Sequence, residues 1–153
     1  MDKFTPEQRS KVMRAIRGRD TLPEMIVRKW LHAQGWRFRC QYRKVPGHPD
    51  IAIPKIRTLI EIRGCFWHHH GWELRKGEWV QREDCPDATM PKSNFAFWNT
   101  KFMANVTRDQ RHEKEWADLG WNVIVIWECG LRTASDRETT FRELAQHLEN
   151  FSK

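Results

Sequence analysis

The chain of 153 residues predicts an α/β fold, a central mixed sheet with helices on both sides. Three features carry that expectation. Short runs rich in β-branched residues, at positions 50–53, 57–62 and 121–127, have the length and composition of strands. Segments with apolar residues at helical spacing alternate with them. The resulting order of two helices, three strands, a helix, a strand and a helix leaves a sheet that needs cover on both faces.

Thr5-Pro6-Glu7 opens a basic helix over about 5–17, with Val12, Met13 and Ile16 as its apolar positions. Thr21-Leu22-Pro23-Glu24 then reads as an N-cap, a proline in the first turn and a capping-box glutamate. That helix runs to about Gln34, with Met25, Ile26, Trp30 and Leu31 facing the core, and Gly35 ends it. Positions 36–40 alternate as a half-buried strand that places Cys40 as a buried free thiol. After the turn Pro46-Gly47-His48-Pro49, a strand over 50–53 stops at Pro54, and 57–62 pairs back on it as a hairpin around Pro54-Lys55. Positions 71–93 read as an irregular polar segment. A long helix spans about 94–119, with Trp98, Phe102, Val106 and Trp116 on one stripe and Gly120 closing it. The run 121–127 has the character of a strand buried on both faces, and a final helix covers about 136–151.

Charged residues at 31% and apolar residues at 39% suit a single globular domain spanning 1–153. No apolar run approaches a membrane span, and Met1-Asp2-Lys3-Phe4 begins no signal peptide, so a cytoplasmic protein is expected. The net charge is +7, with Arg9, Lys11, Arg14, Arg17 and Arg19 in one short stretch. Such a balance favours a polyanion, and nine tryptophans among arginines and lysines suit the faces of nucleic-acid bases. Cys40, Cys65, Cys85 and Cys129 are widely spaced in a chain without a secretory signal, which favours metal ligation by a subset over disulfides.

The chemistry concentrates at two places. Asp50 begins one strand, and Glu61 and Arg63 share a face of its neighbour, because strand side chains alternate. Asp50 and Glu61, with the backbone carbonyl of Ile62, form a candidate Mg²⁺ site. This is the PD-(D/E)xK pattern of restriction-type nucleases with Arg63 in place of lysine; a Glu61–Arg63 surface ion pair is the competing reading. Arginine cannot surrender its proton, so Arg63 offsets phosphate charge and the general base falls to His68. The second place is the run Gly64-Cys65-Phe66-Trp67-His68-His69-His70. Cys65, Cys85 and Cys129 with His70 make a closed set of zinc ligands, His69 competing for the fourth place and three free thiols standing as the alternative. Phe66 and Trp67 are either core rings or a wedge that separates base pairs.

The chain resembles the very-short-patch repair endonuclease family, the T:G mismatch nickases of bacteria, nearly end to end. The resemblance rests on Arg9-Ser10-Lys11-Val12-Met13-Arg14-Ala15-Ile16, Arg19-Asp20-Thr21 with Glu24, Pro46-Gly47-His48-Pro49-Asp50 and Gly64-Cys65-Phe66-Trp67-His68. It continues through Pro91-Lys92-Ser93-Asn94, Phe97-Trp98, Asn105-Val106-Thr107-Arg108-Asp109 and Leu119-Gly120-Trp121 to Trp127-Glu128-Cys129. It implies a restriction-endonuclease-like fold, a structural zinc and a Mg²⁺-dependent nick 5′ of the thymine in T:G mismatches left by deaminated 5-methylcytosine. It places the catalytic groups on Asp50, His68 and Glu24, the metal-binding carbonyl on Ile62, the intercalating rings on Phe66 and Trp67, and mismatch contacts on Met13, Lys101 and Asn105. A monomer acting on double-stranded DNA in the bacterial cytoplasm is implied, with mismatch-repair proteins as further partners. A sequence-specific nickase of undamaged DNA, serving restriction or phage defence, is the alternative. Two features depart from the family pattern: about a dozen added residues, 71–84, ahead of Cys85 in the zinc loop of about 65–93, carrying Arg75, Lys76, Trp79 and Arg82, and Glu61-Ile62-Arg63, which is closer to the general nuclease pattern than some members are.

Overall fold

A computed structural model describes residues 20–153; the helix expected over 5–17, Met13 included, lies outside the described residues. Helix α1 (Leu22–Ala33) starts as the sequence requires. Thr21 Oγ1 accepts from the Glu24 amide, and Pro23 occupies the first turn, where its missing N–H costs nothing. Its buried stripe is Glu24, Val27 and Leu31, while Met25, expected inside, is 48% exposed. Positions spaced three and four apart share a face, and Met25 falls off the one that meets the sheet.

The main sheet has the order β1-β2-β3-β6. Strands β1 (Arg39–Cys40), β2 (Ile51–Ile53) and β3 (Thr58–Arg63) pair antiparallel, and β6 (Asn122–Trp127) joins β3 in parallel. The β2–β3 connection is one short turn over Pro54–Ile56, closed by Arg57 in the left-handed region. The strand expected over 36–40 shrinks to two residues. The rung after Phe38 would fall beyond Ile53, where Pro54 offers no N–H. Cys40 lies on this edge strand and is exposed, not buried as expected.

Alternation along β2 and β3 divides the sheet. Ile51, Ile53, Ile60, Ile124 and Ile126 face α1 and helix α3 (Ala134–Phe151), where Val27, Leu31, Leu144 and Leu148 complete a core. Ala52 and Leu59 face the other way, against Trp116 of helix α2 (Phe95–Asp118). Helices therefore cover both faces, as the element order predicted. Strand β6 is buried on one face only: Ile124 and Ile126 are inside, and Val123 and Val125 are half-buried. Helix α3 begins at Ala134, two residues before the expected start, because Thr133 caps it in a capping box with Asp136.

The segment 71–93 is not wholly irregular. Strands β4 (Trp72–Arg75) and β5 (Glu78–Gln81) form a separate antiparallel hairpin. Its two-residue turn, Lys76-Gly77, has positive φ at both positions, the geometry that matches strand twist. No helix of the described residues is long and apolar enough to cross a membrane.

Candidate active site and metal centre

A cleft of about 750 Å³ opens at the end of the sheet where β2 begins and β3 ends. Asp50 and Glu61 lie opposite each other there, one rung beyond the Ile51–Ile60 pair. Each is held by the other's strand: Glu61 Oε1 accepts from the Asp50 amide at 2.8 Å, and Asp50 Oδ2 accepts from the Ile62 amide at 2.9 Å. Burial pushes the Asp50 carboxyl up to about 6, against the Ile62 hydrogen bond, with the Glu24 charge adding to the rise. Burial, then the Asp50 charge, pushes Glu61 up to about 8. Two half-buried acids facing each other resist double ionisation, and a cation relieves both penalties. The pair therefore fits a divalent metal by its chemistry.

Glu24 reaches the same cleft from α1 and is 3% exposed. Its Oε2 accepts from the Asp20 amide at 2.9 Å and from Arg28 Nη2 at 3.1 Å. It reaches back past the N-cap residue itself to the residue before it.

His68 enters from the turn after β3. Its Nδ1 lies 2.6 Å from Asp109 Oδ2, a short bond to a carboxylate that accepts only, so Nδ1 is the donor and Nε2 is left unengaged by this bond. Asp109 is an addition the sequence reading did not single out. A signal was present: Phe102, Val106, Asp109, Glu113 and Trp116 follow helical spacing, so α2's inward stripe is interrupted by two acids. Glu113 has a use as well. Arg63, 6% exposed, donates from Nη1 to Glu113 Oε1 at 2.8 Å and lies 3.9 Å from Asp109. The edge-strand pairing of Glu61 with Arg63 gives way to this cross-helix pair. Arg63 Nε and Nη2 find no hydrogen-bond partner among the described residues, so a cation with two unused donors borders the cleft.

Phe66 and Trp67 stand beside it, half-buried. Phe66 meets Trp67, Trp98 and Phe102 edge-on, with centroids 5.1–5.3 Å apart. Asn105 Nδ2 donates to the Trp67 carbonyl at 2.9 Å, fixing the backbone under the ring. Lys101 lies over the exposed ring of Phe97, 5.8 Å from its centroid.

The ligand atoms of Cys65, His70, Cys85 and Cys129 lie within 4.8 Å of one another. His70 Nδ1 faces Cys129 Sγ at 3.6 Å, and its Nε2 meets Glu83 at 3.3 Å. Burial pushes the Cys65 and Cys129 thiols up; the Cys85 sulfur adds to both, while the Cys65 hydrogen bond works against the rise at Cys129, and a metal that takes thiolates relieves the burial penalty. His69 is turned elsewhere: 2% exposed, it is stacked between Trp72 and Phe102. Three thiols and one imidazole fit a soft tetrahedral ion.

Comparison with known proteins identifies the chain's relatives. Residues 1–74 match the family described as DNA mismatch endonuclease Vsr. The chain is 38% identical over 143 residues to the Type II nicking enzyme V.XorIIP of Xanthomonas oryzae pv. oryzae, covering 94% of this chain and 96% of that protein. It is 36% identical over 149 residues to the Type II nicking enzyme V.NmeAIP of Neisseria meningitidis serogroup A, covering 97% of each. To the DNA mismatch endonuclease Vsr of Escherichia coli K12 it is 38% identical over 143 residues, covering 94% of this chain and 82% of that one. An α/β sheet with acids at one end and kinship of this extent define the class as a DNA endonuclease that nicks its substrate. Within that class, the chain belongs to the Vsr endonuclease family.

Proposed function

We propose that this enzyme nicks double-stranded DNA 5′ of the thymine in T:G mismatches, starting short-patch repair of deaminated 5-methylcytosine in a bacterial cytoplasm. The observation that carries this reading is the meeting of Asp50, Glu61 and the His68–Asp109 pair in one cleft with Trp67 on its rim. Asp50, Glu61 and the Ile62 carbonyl would hold Mg²⁺, which supplies charge to offset the phosphate and acidify an attacking water. His68, its Nδ1 tied to Asp109, would accept at Nε2 the proton of a water that attacks the phosphate. Arg63 offsets phosphate charge from the wall of the cleft, and Glu24, at the cleft, holds Arg28. Phe66 and Trp67 wedge the duplex open, a cost of a few kcal/mol that is lowest at a mismatch. Lys101 and Asn105, with Met13, contact the mispaired step. Cys65, His70, Cys85 and Cys129 would hold Zn²⁺ as a structural centre.

The names of two relatives, Type II nicking enzymes, support a second reading: a nickase of undamaged sites that accompanies restriction or defence. Nicking of paired T:G and C:G duplexes with randomised flanks separates the two. Rapid nicking of T:G alone, in Mg²⁺, is the expected result; equal nicking of C:G overturns the mismatch reading. Asp50→Ala is expected to abolish the nick in both.

A further inference from the structure

We infer that the hairpin β4–β5 is a brace that positions the aromatic wedge, with Trp79 as its fastening residue; this rests on the wedge reading of Phe66 and Trp67. The hairpin leaves the chain at His70 and Gly71 and returns at Glu83. It is closed by Gly71, whose carbonyl accepts from the Arg82 and Glu83 amides at 2.6 and 3.1 Å. At its base Glu83 meets His70, so one end stands on the metal centre.

The other end grips α2. Trp79 Nε1 donates to Asn99 Oδ1 at 2.7 Å, and Trp79 meets His69 edge-on at 4.7 Å. His69 is stacked between Trp72 at 5.3 Å and Phe102 at 4.6 Å, with interplanar angles of 20° and 10°. Phe102 in turn touches Phe66 at 5.1 Å. An unbroken line of rings thus runs from the hairpin to the wedge. His69 is 2% exposed and has an unpartnered Nδ1 among the described residues. It serves this line as a flat ring.

The competing use, direct DNA contact by the hairpin's cations, fits less well. Arg75 and Arg82 both lean on Glu73, at 2.8 and 2.9 Å, and the indole N–H of Trp79 is engaged by Asn99. Interdigitated rings transmit position because packed interiors have little free volume to absorb a shift. A wedge whose partner rings can slide loses part of its thrust on the base stack.

The test uses the full-length, metal-loaded protein and a T:G duplex with 2-aminopurine beside the mismatch. Trp79→Phe and Asn99→Leu each remove the fastening bond, from opposite ends, while keeping bulk. The expected result is a fall of about fivefold in both the fluorescence rise on binding and the single-turnover nicking rate, the scale of one hydrogen bond. Both should recover on a duplex whose target step is already unpaired, with zinc content unchanged. Opening and nicking at the parent level in both variants would overturn the brace. So would a loss that the unpaired duplex does not restore, because the hairpin would then act through the fold at large. Phe66→Ala distinguishes the readings. If it opens DNA as fully as the parent, the wedge fails and the brace with it; if it abolishes opening while the fastening variants do nothing, the brace alone falls.

Discussion

Replacing Asp109 by asparagine removes one charge from a largely buried polar contact in the cleft and leaves the shape intact. The bond from His68 Nδ1 to Asp109 Oδ2 is 2.6 Å long, with the Asp109 side chain only 12% exposed. Hydrogen bonds to a charged partner contribute about 1.5–3 kcal/mol. At about 1.4 kcal/mol per decade, losing the charge that steadies a protonated imidazole slows the nick about 10- to 150-fold. If the amide instead presents its NH₂ to Nδ1, the ring is left in the wrong tautomer, and the loss approaches about 10⁴-fold, as in triads of the Ser-His-Asp kind. Folding should survive, because Arg63 keeps Glu113 at 2.8 Å and has Asp109 only at 3.9 Å. The assay is single-turnover nicking of a T:G duplex at saturating Mg²⁺, with thermal melting and zinc content as controls. A variant that folds, holds its metal and nicks within twofold of the parent would refute the role given to His68.

Asp50 and Glu61 set a pH dependence. Their folded values, about 6 and about 8, exceed the ordinary 3.8 and 4.5, so the folded, metal-free protein binds more protons than the unfolded chain across that window. Its stability should fall as pH rises from about 4 to 8, whereas Mg²⁺ affinity should climb by up to about tenfold per pH unit while a proton is displaced. Titration calorimetry at pH 6, 7 and 8 checks this, and a flat affinity contradicts it. Cys85→Ser, or a strong chelator, should lower the melting temperature by more than about 10 °C, the scale of several kcal/mol in a chain of this length. Gly71→Ala should cost about 2 kcal/mol or more, because φ is +88° and a Cβ would meet the Glu83 carbonyl; a melt within 1 °C of the parent argues against the hairpin's closure there. Glu113→Gln should leave Arg63 freer and weaken the fold by about 1 kcal/mol, read by urea denaturation.

Strands β2, β3 and β6 and all three described helices were legible because their apolar periods are unambiguous and Thr21, Pro23, Gly35 and Gly120 mark ends. The hairpin was not, although Trp72-Glu73-Leu74-Arg75 and Glu78-Trp79-Val80-Gln81 alternate around a Lys-Gly turn. Six charged side chains from Trp72 through Glu83 masked the period of two. The Asp50–Glu61 opposition and the Cys-Cys-Cys-His convergence followed from strand ends being neighbours. Asp109 did not, because its partner lies 41 residues away and only a folded helix brings its stripe over His68. Arg63's pairing with Glu113 escaped for the same reason. Choosing His70 over His69 needed the structure, since adjacent histidines differ only in which way the turn aims them.

The reciprocal bonds between Asp50 and Glu61 give the acids an unusual dependence on the sheet. Each carboxylate is moored to an amide of the opposite strand, so their separation is a property of strand registry. A slip of β2 by one residue against β3 would dismantle the acid pair and turn Ile51 out of the core in the same motion. On the proposed role of these acids, a partly melted sheet should not cut. The amide protons of Asp50 and Ile62 should exchange with solvent only when catalytic competence is lost, which makes two ordinary backbone sites direct reporters of an active cleft.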